Sequence, residues 1–158
     1  MKSSTTFAKK RVGDGQQARR KWRSRKRKTP VEELELRPGE PEDSLRGTMA
    51  AYLEAMMVAN LSPRTLVARG HDYRNFAGWC EERSLHRPAE VTRPILERYQ
   101  RYLFYYRKAN GQPLSVKRQS MVVTQLRQYF RWLVRQNLLL ANPASELQLP
   151  KLPRRLPR

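Results

Sequence analysis

From Ser44 onward, apolar positions recur every three or four residues, and four such stretches follow one another. That spacing is the period of an amphipathic helix. Leu45, Met49, Tyr52, Leu53, Met56 and Met57 predict a first helix ending near Asn60. Ser62 then supplies an N-cap and Pro63 a proline at the first helical position, opening a second helix that runs to about Arg83. On a helical wheel Leu66, Gly70, Tyr73, Phe76, Ala77 and Cys80 share one side, and Arg64, Ala68, His71, Asn75 and Gly78 the other. Glu and Lys ordinarily dominate a solvated helix back. A narrow strip of small and polar residues predicts instead that something approaches closely.

Thr92 and Pro94 open a third helix with Ile95, Leu96, Tyr99, Tyr102, Leu103 and Tyr106 as its stripe, and Asn110-Gly111-Gln112-Pro113 ends it. Ser115 caps a fourth helix reaching about Asn137. Its core side is Gln119, Val122, Val123, Leu126, Phe130 and Leu133, and its reverse side Lys117, Met121, Thr124, Gln128, Arg131 and Arg135. No segment alternates with the period of a strand. The expectation is an all-α chain with a compact four-helix bundle over residues 44–146.

Residues 1–43 lack that periodicity and hold few large apolar side chains. They are expected to be disordered, because too little surface is buried to offset chain entropy. Their charge divides them: residues 1–30 carry 12 Lys/Arg against one Asp, and residues 31–43 one Arg against six acids. The reading is a basic arm followed by an acidic spacer. Whether the arm binds anything specific, or is read-through ahead of a later functional start, stays open. Residues 147–158, with Lys151, Arg154, Arg155 and Arg158, read as a basic, proline-punctuated strap.

The net charge of +19 across 158 residues demands a polyanionic partner, and double-stranded DNA is the expected one. No apolar run approaches the roughly 18 residues of a membrane span, and no secretory signal opens the chain, so a cytoplasmic protein without a membrane partner is expected. One thiol, Cys80, excludes an internal disulfide framework. With only His71 and His86 beside it, no metal-ligand cluster forms at a usual spacing. No metal, no cofactor and no small-molecule substrate are expected. Trp79, Trp132, Phe76, Phe130 and the Tyr99–Tyr106 group stand at helical spacing beside aliphatics and read as core rather than as base-stacking platforms. Cys80 reads as a core thiol with no base to activate it. His71 reads first as a solvated histidine, with a phosphate or base contact as the alternative.

The stretch LSPRTLVARGHDYRNFAGWC resembles the second helix of the core-binding domain of tyrosine recombinases, the phage-integrase and Xer group. The resemblance is carried by Leu61, Ser62, Thr65, Leu66, Asp72, Phe76 and Trp79. Leu114-Ser115, Leu126-Arg127, Phe130, Leu133 and Asn142-Pro143 are similar to later parts of the same domain, and the closing strap, residues 147–158, is similar to the basic linker that would lead to the family's catalytic domain, which is missing here; about residues 45–158 are covered. Arg69 stands where the family often has tyrosine, and Met121-Val122 where it commonly has a basic pair. The resemblance implies a SAM-like helical fold in which two helices enter the major groove as half of a clamp around duplex DNA. It also implies other recombinase protomers as partners. The family's catalytic arginine, lysine, His-x-x-Arg pair, further His or Trp and nucleophilic tyrosine are not found, so the chain is expected to be no enzyme as it stands.

Residues and resemblance agree on the DNA-binding candidates. They are Ser62, Arg64, Thr65, Ala68 and His71 on the second helix, Ser115, Lys117, Arg118, Met121 and Thr124 on the fourth, and Lys151, Arg154 and Arg155 on the strap. Arg and Lys at the two N-terminal ends, expected to lie side by side, would grip phosphates. Thr65, Lys117 and Met121 would meet base edges or the thymine methyl. Two rival readings remain. One is a catalytically inactive regulator or partner of a full-length recombinase; the other is a polybasic RNA- or membrane-binding protein driven by residues 1–30.

Overall fold

The computed structural model describes residues 29–34, 36 and 39–153. Five α-helices follow in order: α1 (Pro30–Glu33), α2 (Leu45–Val58), α3 (Pro63–Glu81), α4 (Arg93–Tyr105) and α5 (Val116–Arg135), with a 3-10 turn at Pro88–Glu90 before α4. No strand forms among the described residues; Arg107 and Pro113 make one isolated bridge. The all-α expectation holds.

Serine hydroxyls start three of the helices as the sequence predicts. Ser44, Ser62 and Ser115 accept hydrogen bonds from the backbone N–H groups of Gly47, Thr65 and Arg118, satisfying donors that a helix start leaves open. Thr92 occupies the corresponding position of α4 without a side-chain bond. Asn60, Ser84 and Asn137 adopt positive φ just beyond α2, α3 and α5, the left-handed turn that commonly ends a helix.

The core is largely aromatic. Tyr52, Tyr73 and Tyr129, from α2, α3 and α5, form a triangle with ring centroids 5.7–6.1 Å apart. Phe76 meets Tyr99 of α4 edge-on at 4.8 Å and Phe130 at 6.5 Å, in the offset geometries that ring quadrupoles favour. The Tyr129 hydroxyl is satisfied by Thr48 at 2.7 Å, and the Tyr73 hydroxyl donates to the Gln125 carbonyl at 3.4 Å. Burial pushes the phenols of Tyr73, Tyr99 and Tyr129 well above their ordinary values. Cys80 is fully buried, and desolvation raises its thiol to about 12.

Three expectations need correction. The first is the spacer, whose order begins earlier than Ser44. Thr29 and Glu32 form a reciprocal capping box around Pro30, and Leu34 is fully buried in the core. Arg46 ties the segment down, donating to the Leu34 carbonyl and, 3.0 Å from one oxygen, to the Glu81 carboxylate of α3. Pro30 is buried as well, and the Arg46 guanidinium satisfies the Leu34 carbonyl that this burial would otherwise leave open. Residues 1–28 lie outside the described residues.

The second is α4, which stops at Tyr105 rather than running to the Asn110-Gly111 turn. Lys108 and Gln112 close that turn with a 2.9 Å backbone bond, Gly111 adopts φ +78°, and the pairing of Arg107 with Pro113 needs an extended flank. Tyr102 and Tyr106 consequently lie about two-fifths exposed instead of in the core. Met57, also assigned to the core, is half exposed at the end of α2. The third is the strap, whose start belongs to the bundle. Leu147 is buried, Arg127 donates to the carbonyls of Ala144 and Leu147, and Gln100 donates to that of Gln148 at 2.8 Å.

Between α3 and α5 the contacts run middle to middle: the Tyr73 hydroxyl meets the Gln125 carbonyl, and the rings of Tyr73 and Phe76 meet those of Tyr129 and Phe130. Arg118, three residues beyond Ser115, reaches back to Asp72, ten residues beyond Ser62.

Candidate nucleic-acid interface

The wheel of α3 is realised residue by residue. Leu66, Gly70, Tyr73, Phe76, Ala77 and Cys80 are buried, while Arg64, Ala68, His71 and Asn75 are exposed and Gly78 is partly so. α5 behaves alike: its predicted core side is buried, and Lys117 and Met121 are exposed with Thr124 partly so. His71 of α3 and Arg118 of α5 come to one opening in the surface. Both line an open groove of about 590 Å³ with Arg74, Asn75, Gly78 and Lys108. Trp79 also lines it, with Arg83 stacked 3.9 Å over its ring and its Nε1–H buried without an acceptor among the described residues.

Arg64 and Lys117 reach solvent with no ion-pair partner among the described residues. Ser62 and Thr65 are exposed, but their hydroxyls bond each other at 2.8 Å, and Ser62 also caps the helix. The Ser115 hydroxyl is likewise committed to its cap. The Thr124 hydroxyl donates to the Ser120 carbonyl at 2.8 Å, inside its own helix. Arg74 Nη2 lies 3.4 Å from His71 Nδ1, so His71 sits against a cation.

Arg118, expected to grip phosphate, is turned inward. Its Nη1 donates to Asp72 Oδ2 at 3.0 Å and its Nη2 to the other carboxylate oxygen, a two-pronged pair between α5 and α3. Asp72 is almost fully buried. Burial pushes its carboxyl above the ordinary aspartate value, while Arg118, His71 and Gln125 pull it back. Periodicity places Arg118 on a helix start but carries no information about a partner 46 residues away. Asp72 was the signal available: an acid beside the apolar face of α3 needs a cation. On the strap Lys151 is exposed, and Arg154 and Arg155 lie outside the described residues.

No group of three His, Cys, Asp or Glu side chains among the described residues is placed to hold a metal ion. No helix of the described residues is long and apolar enough to cross a membrane.

A small all-α bundle with exposed polar faces on α3 and α5, and a groove lined in part by Arg74, Lys108 and Arg118, is the class that the fold and site define. It has a counterpart among solved structures. An integrase from mycobacterium phage Brujita superposes with a TM-score of 0.53 and 23% identity, over 70% of this chain and 34% of that one, and shares the fold. No protein-family profile matches the chain. Among curated proteins it is similar to tyrosine recombinase XerC 2 of Ralstonia nicotianae, 54% identical over 110 residues, covering 70% of this chain and 32% of that protein. It is also similar to tyrosine recombinase XerC of Neisseria meningitidis serogroup B, 28% identical over 116 residues, covering 73% of this chain and 36% of the relative. Over this shared region the chain belongs to the tyrosine recombinase family. It spans about a third of the length of the curated relatives it matches.

Proposed function

We propose that this chain is a duplex-DNA-binding core module of site-specific recombination, gripping DNA as one half of a clamp. The observation that carries the proposal is the exposure of the outer faces of α3 and α5. Arg64, Ala68, His71 and Asn75 on one helix, and Lys117 and Met121 on the other, are exposed and do nothing for the core. Arg64 and Lys117 would take phosphates; Ala68, small enough for close approach, and Met121 would lie against the groove floor. Ser62, Thr65 and Ser115 contribute through the local geometry they organise at the two helix starts, and Thr124 as a partly exposed residue farther along the outer face of α5. His71 stands where a phosphate would meet it together with Arg74. Lys151, with Arg154 and Arg155 beyond it, would follow the backbone as the strap leaves the bundle. Double-stranded DNA is the first partner, and other recombinase protomers the second. The chemistry of strand exchange is assigned to no residue of this chain.

The rival source of affinity is the N-terminal arm, which holds 12 of the 33 Lys and Arg residues within its first 30 positions. Removing residues 1–28 and measuring binding to a random-sequence duplex separates the two. Retained, salt-sensitive duplex binding is the expected result. Loss of all binding would assign the affinity to the arm and remove the helical face from the account.

A further inference from the structure

The pair that joins α3 to α5 has a role beyond holding them together. We propose that Asp72 is a positioning residue of the interface: it keeps the Arg118 fork inside the protein, so that Arg118 sets the seating of α5 on α3 and gives no charge to DNA. The inference rests on the duplex-binding reading above and refines which of its cations act.

A guanidinium fork meets a carboxylate and a phosphate through the same two parallel N–H···O bonds. Asp72 and a DNA phosphate are therefore competitors for Arg118. Asp72 holds the stronger position, because it is 4% exposed and its carboxylate would be left buried and unpaired if Arg118 swung outward. Arg118, whose side chain is 35% exposed, is near enough to the surface to reach a phosphate were Asp72 absent. The same turn is fixed twice, since the Arg118 backbone N–H donates to Ser115 Oγ at 3.2 Å while its side chain holds α3. Lys117, one position earlier, is left exposed. Two adjacent cations thus divide the work. One seats the helix, and the other faces solvent.

This division matters for discrimination. Each phosphate contact adds affinity for any duplex, whatever its sequence. Withholding Arg118 lowers indiscriminate grip while preserving the orientation that base contacts require. The seating role also explains why an arginine stands at the start of a helix, where the dipole disfavours a cation.

The test is the salt dependence of binding by the full chain to a random-sequence duplex. Asp72→Asn keeps the shape and removes the charge, so the log K against log salt slope should steepen by about one phosphate equivalent. Glu54→Gln changes the net charge equally at an exposed site on α2 and should leave the slope at the wild-type value. Adding Arg118→Gln to Asp72→Asn should restore it. An unchanged slope for folded Asp72→Asn, checked by circular dichroism, overturns the proposal. If that variant does not fold, Arg118→Gln alone decides: a slope equal to wild type supports the proposal, and flattening as large as that of Lys117→Gln overturns it. Should the wild-type chain bind no duplex, the functional reading fails by itself. Elution of the same variants from immobilised heparin then tests this inference separately, with Asp72→Asn expected at higher salt than Glu54→Gln and equal elution overturning it.

Discussion

The two faces of α3 obey different rules. On the inner face Tyr73, Phe76 and Cys80 are fully buried; Tyr73 meets the rings of Tyr52 and Tyr129, and Phe76 those of Trp79, Tyr99 and Phe130. Packing accounts for that face completely. On the outer face Arg64, Ala68, His71 and Asn75 are exposed and pack against nothing that the fold requires. Their smallness and charge are the part of the helix that folding leaves unexplained. The lesson is that function is best sought where a residue pattern persists without a packing reason.

Substitutions on opposite faces should separate stability from binding. Phe76→Ala removes a ring set among three others and should cost about 3–5 kcal/mol in chemical denaturation; a loss under about 1 kcal/mol would mean that the aromatic core is not packed as described. Leu34→Ala extends the inner-face logic to α1 and should cost about 2–4 kcal/mol. A negligible loss would detach α1 from the bundle. Ala68→Glu, on the outer face, should leave stability within about 0.5 kcal/mol and weaken duplex binding, since it sets an acid against phosphate. Binding as tight as wild type would clear that face of any contact.

Two ionisable groups give smaller, pH-dependent readings. With the Cys80 thiol raised to about 12 by burial, the folded protein should resist alkylation at pH 8 and react only on unfolding. Because the folded value lies above the unfolded one, the thiol's contribution is complete below the unfolded pKa and fades as pH rises from there toward the folded value. Rapid native labelling would contradict the burial. Glu90 has the opposite sign. The backbone N–H groups of Arg87 and His86 hold its carboxyl below the ordinary glutamate value. Its contribution is present at neutral pH and lost as pH falls through that lowered value. Glu90→Gln should therefore flatten the acid side of the stability profile slightly, as read by thermal melts between pH 3 and 6.

Much of this was legible in the sequence, and the misses share a cause. Heptad-like spacing fixed which residues of α3 and α5 point inward, because each helix answers to one core. It overreached on Met57, Tyr102 and Tyr106, where the helix ends or leaves the core before the stripe does. α1 was readable in principle: Thr29-Pro30-Val31-Glu32 has the spacing of a capping box with proline at its first turn. Low apolar content in its neighbourhood obscured it. The inward turn of Arg118 depends on a contact between distant segments. Local periodicity contains no trace of it, and the unexplained acid at Asp72 was the only clue.

The claim on which the account turns is that the outer faces of α3 and α5 hold DNA. The direct measurement is the salt dependence of duplex binding by the Arg64→Ala/Lys117→Ala variant beside the wild-type chain. Losing two phosphate contacts should reduce the slope of log K against log salt by about two, with the melting temperature unchanged. A variant that keeps both the wild-type slope and the wild-type affinity would contradict it.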